Sequence, residues 1–97
     1  MKNSHHLNQM MEQITLDVSE LEPPQPMTEI LLALSELRTN QCLKVKHRRE
    51  PVPLYAKLHA AGWQYYCHSL ARNGFHIYIY RQTEQAEFDR LMQQLDL

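Results

Sequence analysis

The chain has 97 residues, 43% of them hydrophobic and 22% charged, with a formal net charge of −1 at pH 7. That length holds one two-layer core and no second one, and the balance is that of an ordinary soluble globular protein. A net charge near zero argues against nucleic acid or a membrane surface as partner, and no apolar run reaches the roughly 20 residues that span a bilayer.

The first ten residues, MKNSHHLNQM, lack the apolar core of a signal peptide, so the expected compartment is the cytoplasm. Leu7, Met10, Met11 and Ile14 are spaced as on a short amphipathic helix, and residues 1–13 read as such a helix or as a frayed tail. Ile14-Thr15-Leu16-Asp17-Val18 alternates apolar and polar, the pattern of a half-buried strand. The loop LEPPQPM follows, and then Met27, Ile30, Leu31, Leu34 and Leu37 predict a helix over 26–38. Pro24 or Pro26 suits its first turn, where a missing N–H costs nothing.

Residues 42–47 alternate again, with Leu43 and Val45 inward and Lys44 and Lys46 outward. Pro51 and Pro53 exclude a continued central strand, and a second helix is expected over 54–61, ended by Gly62. Segments 63–70 and 75–81 are strand-like and flank Asn73-Gly74, the strongest short hairpin signal. With those two residues at the centre of the turn, Leu70 faces Ile77, His68 faces Ile79, Ser69 faces Tyr78 and Cys67 faces Tyr80. Tyr66, His68 and Leu70 then share the core face with Phe75, Ile77 and Ile79. The opposite face receives Trp63, Tyr65, Cys67, His76, Tyr78 and Tyr80. Finally Phe88, Leu91, Met92 and Leu95 predict an amphipathic helix beginning near Glu84.

The element order is βαβαββα. It implies an α+β two-layer sandwich with a four-stranded mixed sheet and two helices on one face. The first two strands should be parallel, joined by a right-handed crossover. The chain reads as a single domain over 1–97, with core 14–82, an N-terminal extension 1–13 and a C-terminal helix over 84–97. This arrangement leaves an aromatic sheet face of Trp63, Tyr65, Tyr78 and Tyr80 to be covered. The C-terminal helix, a second copy of the chain in a homodimer, or a ligand would cover it.

LDVSELEPPQPM, residues 16–27, resembles the opening of the TusA/SirA sulfur-carrier family, which reads roughly LDxRGLxCPxP. Leu16-Asp17-Val18, Leu21, Pro24 and Pro26 match, while the sulfur-carrying cysteine of that family falls on Pro23. Residues 14–82 follow its βαβαββ order. The chain is more closely similar to a group of uncharacterised bacterial domains distantly related to those carriers, with LDVRxLxPPxPM and HxREPxPLYxxLxxxG patterns. Here the second pattern reads His47-Arg48-Arg49-Glu50-Pro51-Val52-Pro53-Leu54-Tyr55, then Leu58 and Gly62. Members of that group stand alone or are joined to hemerythrin-like domains. The resemblance implies the fold and no settled activity.

Two loops, 21–27 and 47–53, follow parallel strands and therefore lie at one edge of the sheet, where open α/β sheets bind ligands. Both lead into helix N-termini, which favour anions. His47 and Arg49, then Tyr55 and Glu22, with Arg48, Pro23 and Pro24, are the candidate ligand-binding residues. Glu20, Glu22 and Glu50 are available to pair with the arginines. The bland alternative is that the prolines only set helix starts and stiffen the unfolded chain.

Nothing in this loop is a nucleophile beside a base, so no catalytic residue is assigned. Cys67 and Cys42, free thiols in a reducing compartment, are the residues a relocated sulfur or redox carrier would use. The six histidines show no ligand spacing, and His68 and His76 are expected on different faces. No cofactor is expected. Three functions follow: a cytoplasmic binding or regulatory module for a protein partner or small anionic ligand, a thiol-dependent carrier, and histidine-based metal or heme binding. The last rests on analogy with hemerythrin-like neighbours.

Overall fold

The computed structural model describes residues 10–96. Strand β1 is Glu12–Asp17, helix α1 Gln25–Ser35, β2 Gln41–His47, helix α2 Val52–Ala60, β3 Trp63–Ser69 and β4 Phe75–Arg81. A short 3-10 turn, Gln82–Glu84, then leads into helix α3, Gln85–Leu95. The sheet order is β1-β2-β4-β3, with β1 and β2 parallel and the other pairs antiparallel. The expected α+β architecture is what forms. Residues 1–9 lie outside the described residues, so most of the anticipated N-terminal helix does too. Its last part is not helical: β1 already begins at Glu12. No described helix is long and apolar enough to cross a membrane.

Alternation puts Leu43, Val45, Ile77 and Ile79 on the face that receives α1 and α2. They are fully buried there with Ile30, Leu54 and Leu58. Sealing these seven side chains from water, at about 1.5–3 kcal/mol each, is the main stabilising term. The opposite face carries Cys42, Tyr78 and Tyr80. Helix α3 folds over that part of it, placing Phe88 in a stack on Tyr80 with centroids 3.8 Å apart. Met11 and Leu91 complete this second, smaller core.

The hairpin closes three positions away from the expected register. Tyr66 pairs with Tyr78, Cys67 with Ile77, His68 with His76 and Ser69 with Phe75. The cause is the turn. Asn73 keeps a negative φ, so no two-residue turn centred on Asn73-Gly74 forms; instead Gly74 alone adopts φ +99°. Leu70 N–H donates to Gly74 O at 3.1 Å, closing a three-residue loop, 71–73. An odd slip moves every side chain of one strand to the other face. Trp63, Tyr65 and Cys67 therefore join Ile77 and Ile79 on the helix side, and Tyr66 and His68 join Tyr78 and His76. The four aromatics expected on one face are split: Tyr65 stacks on Tyr55 of α2 at 3.8 Å, while Tyr78 and Tyr80 lie beneath α3. His68 and His76, expected apart, are direct cross-strand partners.

At the other end of the sheet Arg81 spans two layers. Its guanidinium donates to the carbonyls of Leu37 and Arg38, just beyond α1, and lies over the Trp63 ring at 5.1 Å. Glu84 sits 3.8 Å from Arg81 and accepts the Asn40 amide at 2.8 Å. Asn40 is left-handed, φ +63°, and its carbonyl accepts Glu12 N–H at 3.0 Å. One arginine and one buried carboxylate thus join the end of α1, the starts of β1 and β2, the end of β4 and the start of α3.

Gly74 is the glycine on which the hairpin depends. A Cβ there would meet His47 O at 3.3 Å as well as the left-handed backbone. Gly74→Ala is expected to cost about 1–2 kcal/mol, read as a lower urea midpoint with an unchanged slope.

Candidate functional site: a proline-walled cleft beside His47

Asp17 ends β1 with a tight local turn, its Oδ1 accepting both the N–H and the hydroxyl of Ser19 at 2.9 and 2.6 Å. Val18 N–H donates to Lys46 O, keeping the start of the first loop tied to β2. The chain then passes Pro23 and Pro24, joined by a cis peptide, into α1. His47 ends β2, and the second loop passes Pro51 and Pro53 into α2. The parallel pairing of β1 and β2 brings both loops to one edge, as the topology requires.

Between them lies a cavity of about 440 Å³ lined by Pro23, Pro24, Pro26, Pro51 and Pro53. Those are all five prolines of the chain. Met27, Ile30 and Leu54 form its floor, with His47, Arg49 and Glu50 at its edge. Of the sequence-derived candidates, Pro23, Pro24, His47 and Arg49 meet in this cleft. Glu22 and Arg48 do not line it; they pair with each other at 3.4 Å, largely in solvent. An exposed pair of this kind contributes little to stability. Tyr55 is displaced along α2, where its hydroxyl donates to Glu50 Oε2 at 3.0 Å. Tyr55 therefore holds Glu50 in place rather than meeting a guest. Missing from the candidate set were Met27, Ile30 and Leu54, whose helical spacing read only as core. The start of each helix shares its apolar face with the loop before it, and no local pattern separates the two uses.

The helix starts hold fewer free donors than the anion reading assumed. Gln25 N–H already donates to Glu22 O, Val52 N–H to Glu50 O and Leu54 N–H to Pro51 O, each at 2.9 Å. Pro26 and Pro53 have no N–H to offer. The prolines that shape the cleft thus remove much of the anion-binding capacity of a helix N-terminus.

His47 is held neutral. Burial, and then the neighbouring Arg48 charge, lower its pKa from 6.5. Its Nδ1 accepts the Arg49 amide at 3.2 Å, so the proton of the neutral ring sits on Nε2, which is a donor. Among the described residues Arg49 makes no ion pair. On the other side of His47 a second hollow, about 340 Å³, includes Lys46, Arg48, His76 and Glu20 in its lining.

The thiols lie elsewhere. Cys42 is fully buried beneath α3, and burial, then Glu84, push its pKa up to about 12. Cys67, expected beside Tyr80, is on the opposite face against Tyr55, and burial raises its pKa too. Both stay protonated near neutrality, which disfavours the attack a carrier thiol must make. Among the described residues no group of three or more His, Cys, Asp or Glu side chains is placed to hold a metal ion.

The family model described as "Uncharacterized conserved protein (DUF2249)" matches residues 15–81. No curated protein and no solved structure matches the chain.

The lowered pKa of His47, and of His76 by burial and then Lys44, Lys46 and His68, has a consequence for stability. The unfolded chain protonates these rings near 6.5, whereas the folded chain does so only at lower pH. The unfolded state therefore binds more protons in that interval, and stability falls as pH drops below about 6.5. Urea unfolding at stepwise lower pH is expected to show this loss, and His47→Asn to reduce it. NMR titration should place the His47 midpoint below that of a free histidine.

Proposed function

The chain belongs to the DUF2249 family of uncharacterised conserved proteins, and since that family prescribes no chemistry we propose its function from the cleft: a non-enzymatic binding module for an apolar guest bearing one acidic group, such as a short peptide segment. The observation that carries this reading is the apolar cavity walled by five prolines, with Arg49 and His47 among its lining residues. Rigid walls lower the entropy cost of ordering the site around a guest. A mostly apolar pocket with a few placed polar groups is the usual form of a small-ligand site. A neutral imidazole donor and one guanidinium suit a carboxylate or a peptide carbonyl.

The resemblance to sulfur carriers supports the same location. Pro23, which stands where those carriers keep their cysteine, lines this cleft. A wall without its thiol fits holding rather than transfer.

The test is a titration of the protein with N-acetyl-leucine and short acidic-apolar peptides, followed by amide chemical shifts. Shifts centred on Met27, Ile30 and His47 are expected. Arg49→Ala should weaken binding by roughly tenfold through loss of one charge-assisted contact, and the methyl ester should bind as weakly as the variant. Unchanged affinity with His47→Ala and Arg49→Ala combined would remove the assignment.

A second reading takes the small-anion expectation to the neighbouring hollow, where Lys46, Arg48 and His76 converge. Inorganic phosphate that shifts Lys46 and His76 while leaving Met27 and Ile30 unmoved would favour it.

A further inference from the structure

We propose that the outer edge of β3 is a self-association site, at which two copies of the chain join antiparallel, residue Tyr66 facing Tyr66 across a two-fold axis, to form one continuous eight-stranded sheet.

The hydrogen-bond phase of the hairpin shows which backbone groups are available. Leu70 N–H bonds Gly74 O, and Gln82 N–H bonds Gly62 O, both in the same β3–β4 register. Antiparallel ladders alternate between hydrogen-bonded and non-bonded pairs. Gln64, Tyr66, His68 and Leu70 therefore direct their N–H and C=O groups to β4. Trp63, Tyr65, Cys67 and Ser69 direct theirs outward. Among the described residues no strand pairs with that edge. Among the described residues, of these outward groups the Trp63 carbonyl alone has a partner, the Gln82 side chain at 3.5 Å.

An open strand edge is normally blunted by charge, proline or a bulge. The β3 sequence, WQYYCHS, has no Lys, Arg, Asp, Glu or Pro, and the β3–β4 ladder runs unbroken. The other edge strand, β1, reads EQITLD and carries an acid at each end. Tyr65 and Tyr66, 36% and 40% exposed, are among the few large apolar side chains left in solvent, and they flank the β3 edge on its two sides.

A second copy fits this edge better than an unrelated strand for two reasons. In a two-fold pair every residue of β3 meets a residue of β3, so a charged strand would place like charges near one another; this strand has none. The centre of Trp63–Ser69 is Tyr66, and an axis there pairs the whole strand: Trp63 with Ser69 and Tyr65 with Cys67. Those are the four outward residues, and each such pair exchanges two backbone hydrogen bonds. Tyr66 then lies at a non-bonded position, where opposite side chains are closest and aromatic pairs contribute most. The homodimer expected through an aromatic sheet face is thereby moved to the sheet edge, and it leaves the cleft beside His47 unobstructed, since that cleft lies between the β1 and β2 loops.

Sedimentation velocity of the full chain over about 1 µM to 1 mM tests the proposal, because a two-fold dimer dissociates on dilution. A concentration-dependent dimer is expected. Ser69→Pro removes an outward N–H that the ladder to β4 does not use, near the end of an edge strand where proline is tolerated; it should keep the circular dichroism spectrum and raise the dimer dissociation constant about tenfold or more. Tyr66→Lys and Tyr66→Glu should each be monomeric, and mixing the two should restore a heterodimer. A chain that remains monomeric throughout overturns the proposal. So does a dimer that survives Ser69→Pro, or a lysine–glutamate mixture that stays monomeric.

Discussion

Arg81 and Glu84, 3.8 Å apart, tie the layers of this protein together at one end of the sheet. A helix end leaves carbonyls without intrahelical partners, and Arg81 supplies two donors to the chain just beyond α1. Glu84 turns the same joint toward the other face, because its position starts the chain into α3 while its carboxylate holds the Asn40 amide. Removing either charge would leave the other half-buried without its counterpart, which is costlier than never having buried the pair. With this end of the sheet closed by charge-assisted bonds, the opposite end is free to be shaped by loops.

Those loops use proline in place of charge. Five prolines hold two helix starts open around a single apolar hollow, and the same residues occupy or bypass the amides that would otherwise attract an anion. Stiffness and chemistry are therefore linked at this site: a loop rigid enough to remain open without a guest is also one short of donors. The neutral His47 ring and the Arg49 guanidinium, which makes no ion pair among the described residues, are what remains to recognise a polar end. Both cysteines stand outside this arrangement, protonated and packed. Among the described residues the two faces of the sheet are likewise unequal, one sealed by two helices and the other covered by α3 over Cys42, Tyr78 and Tyr80.

The element order, the parallel β1–β2 pair and the cleft location are legible in the sequence, because they follow from short-range patterns. Alternation marks strands, 3.6-residue spacing marks helices, and a β-α-β connection places two loops at one edge. Pro23, Pro24, His47 and Arg49 could be grouped on that ground alone. The hairpin shows where this fails. Asn73-Gly74 has the strongest local preference for a two-residue turn, yet the turn that forms uses three residues and asks only Gly74 for positive φ. The winning register places Cys67, Trp63 and Tyr65 on the helix side, where Tyr65 stacks on Tyr55. Local turn preference is outweighed by that tertiary packing.

By itself, then, the sequence determined the composition of each layer of this protein: which segments become strands and helices, which faces of β2 and β4 are apolar, and where the prolines gather. Each of these depends on residues within a few positions of one another. The tertiary structure alone decided the face of β3, the pairing of His68 with His76, the neutrality of His47 and the division of the cleft residues between guest and scaffold. Each of these depends on desolvation, or on a partner distant in sequence. Their energies arise only when separate elements meet.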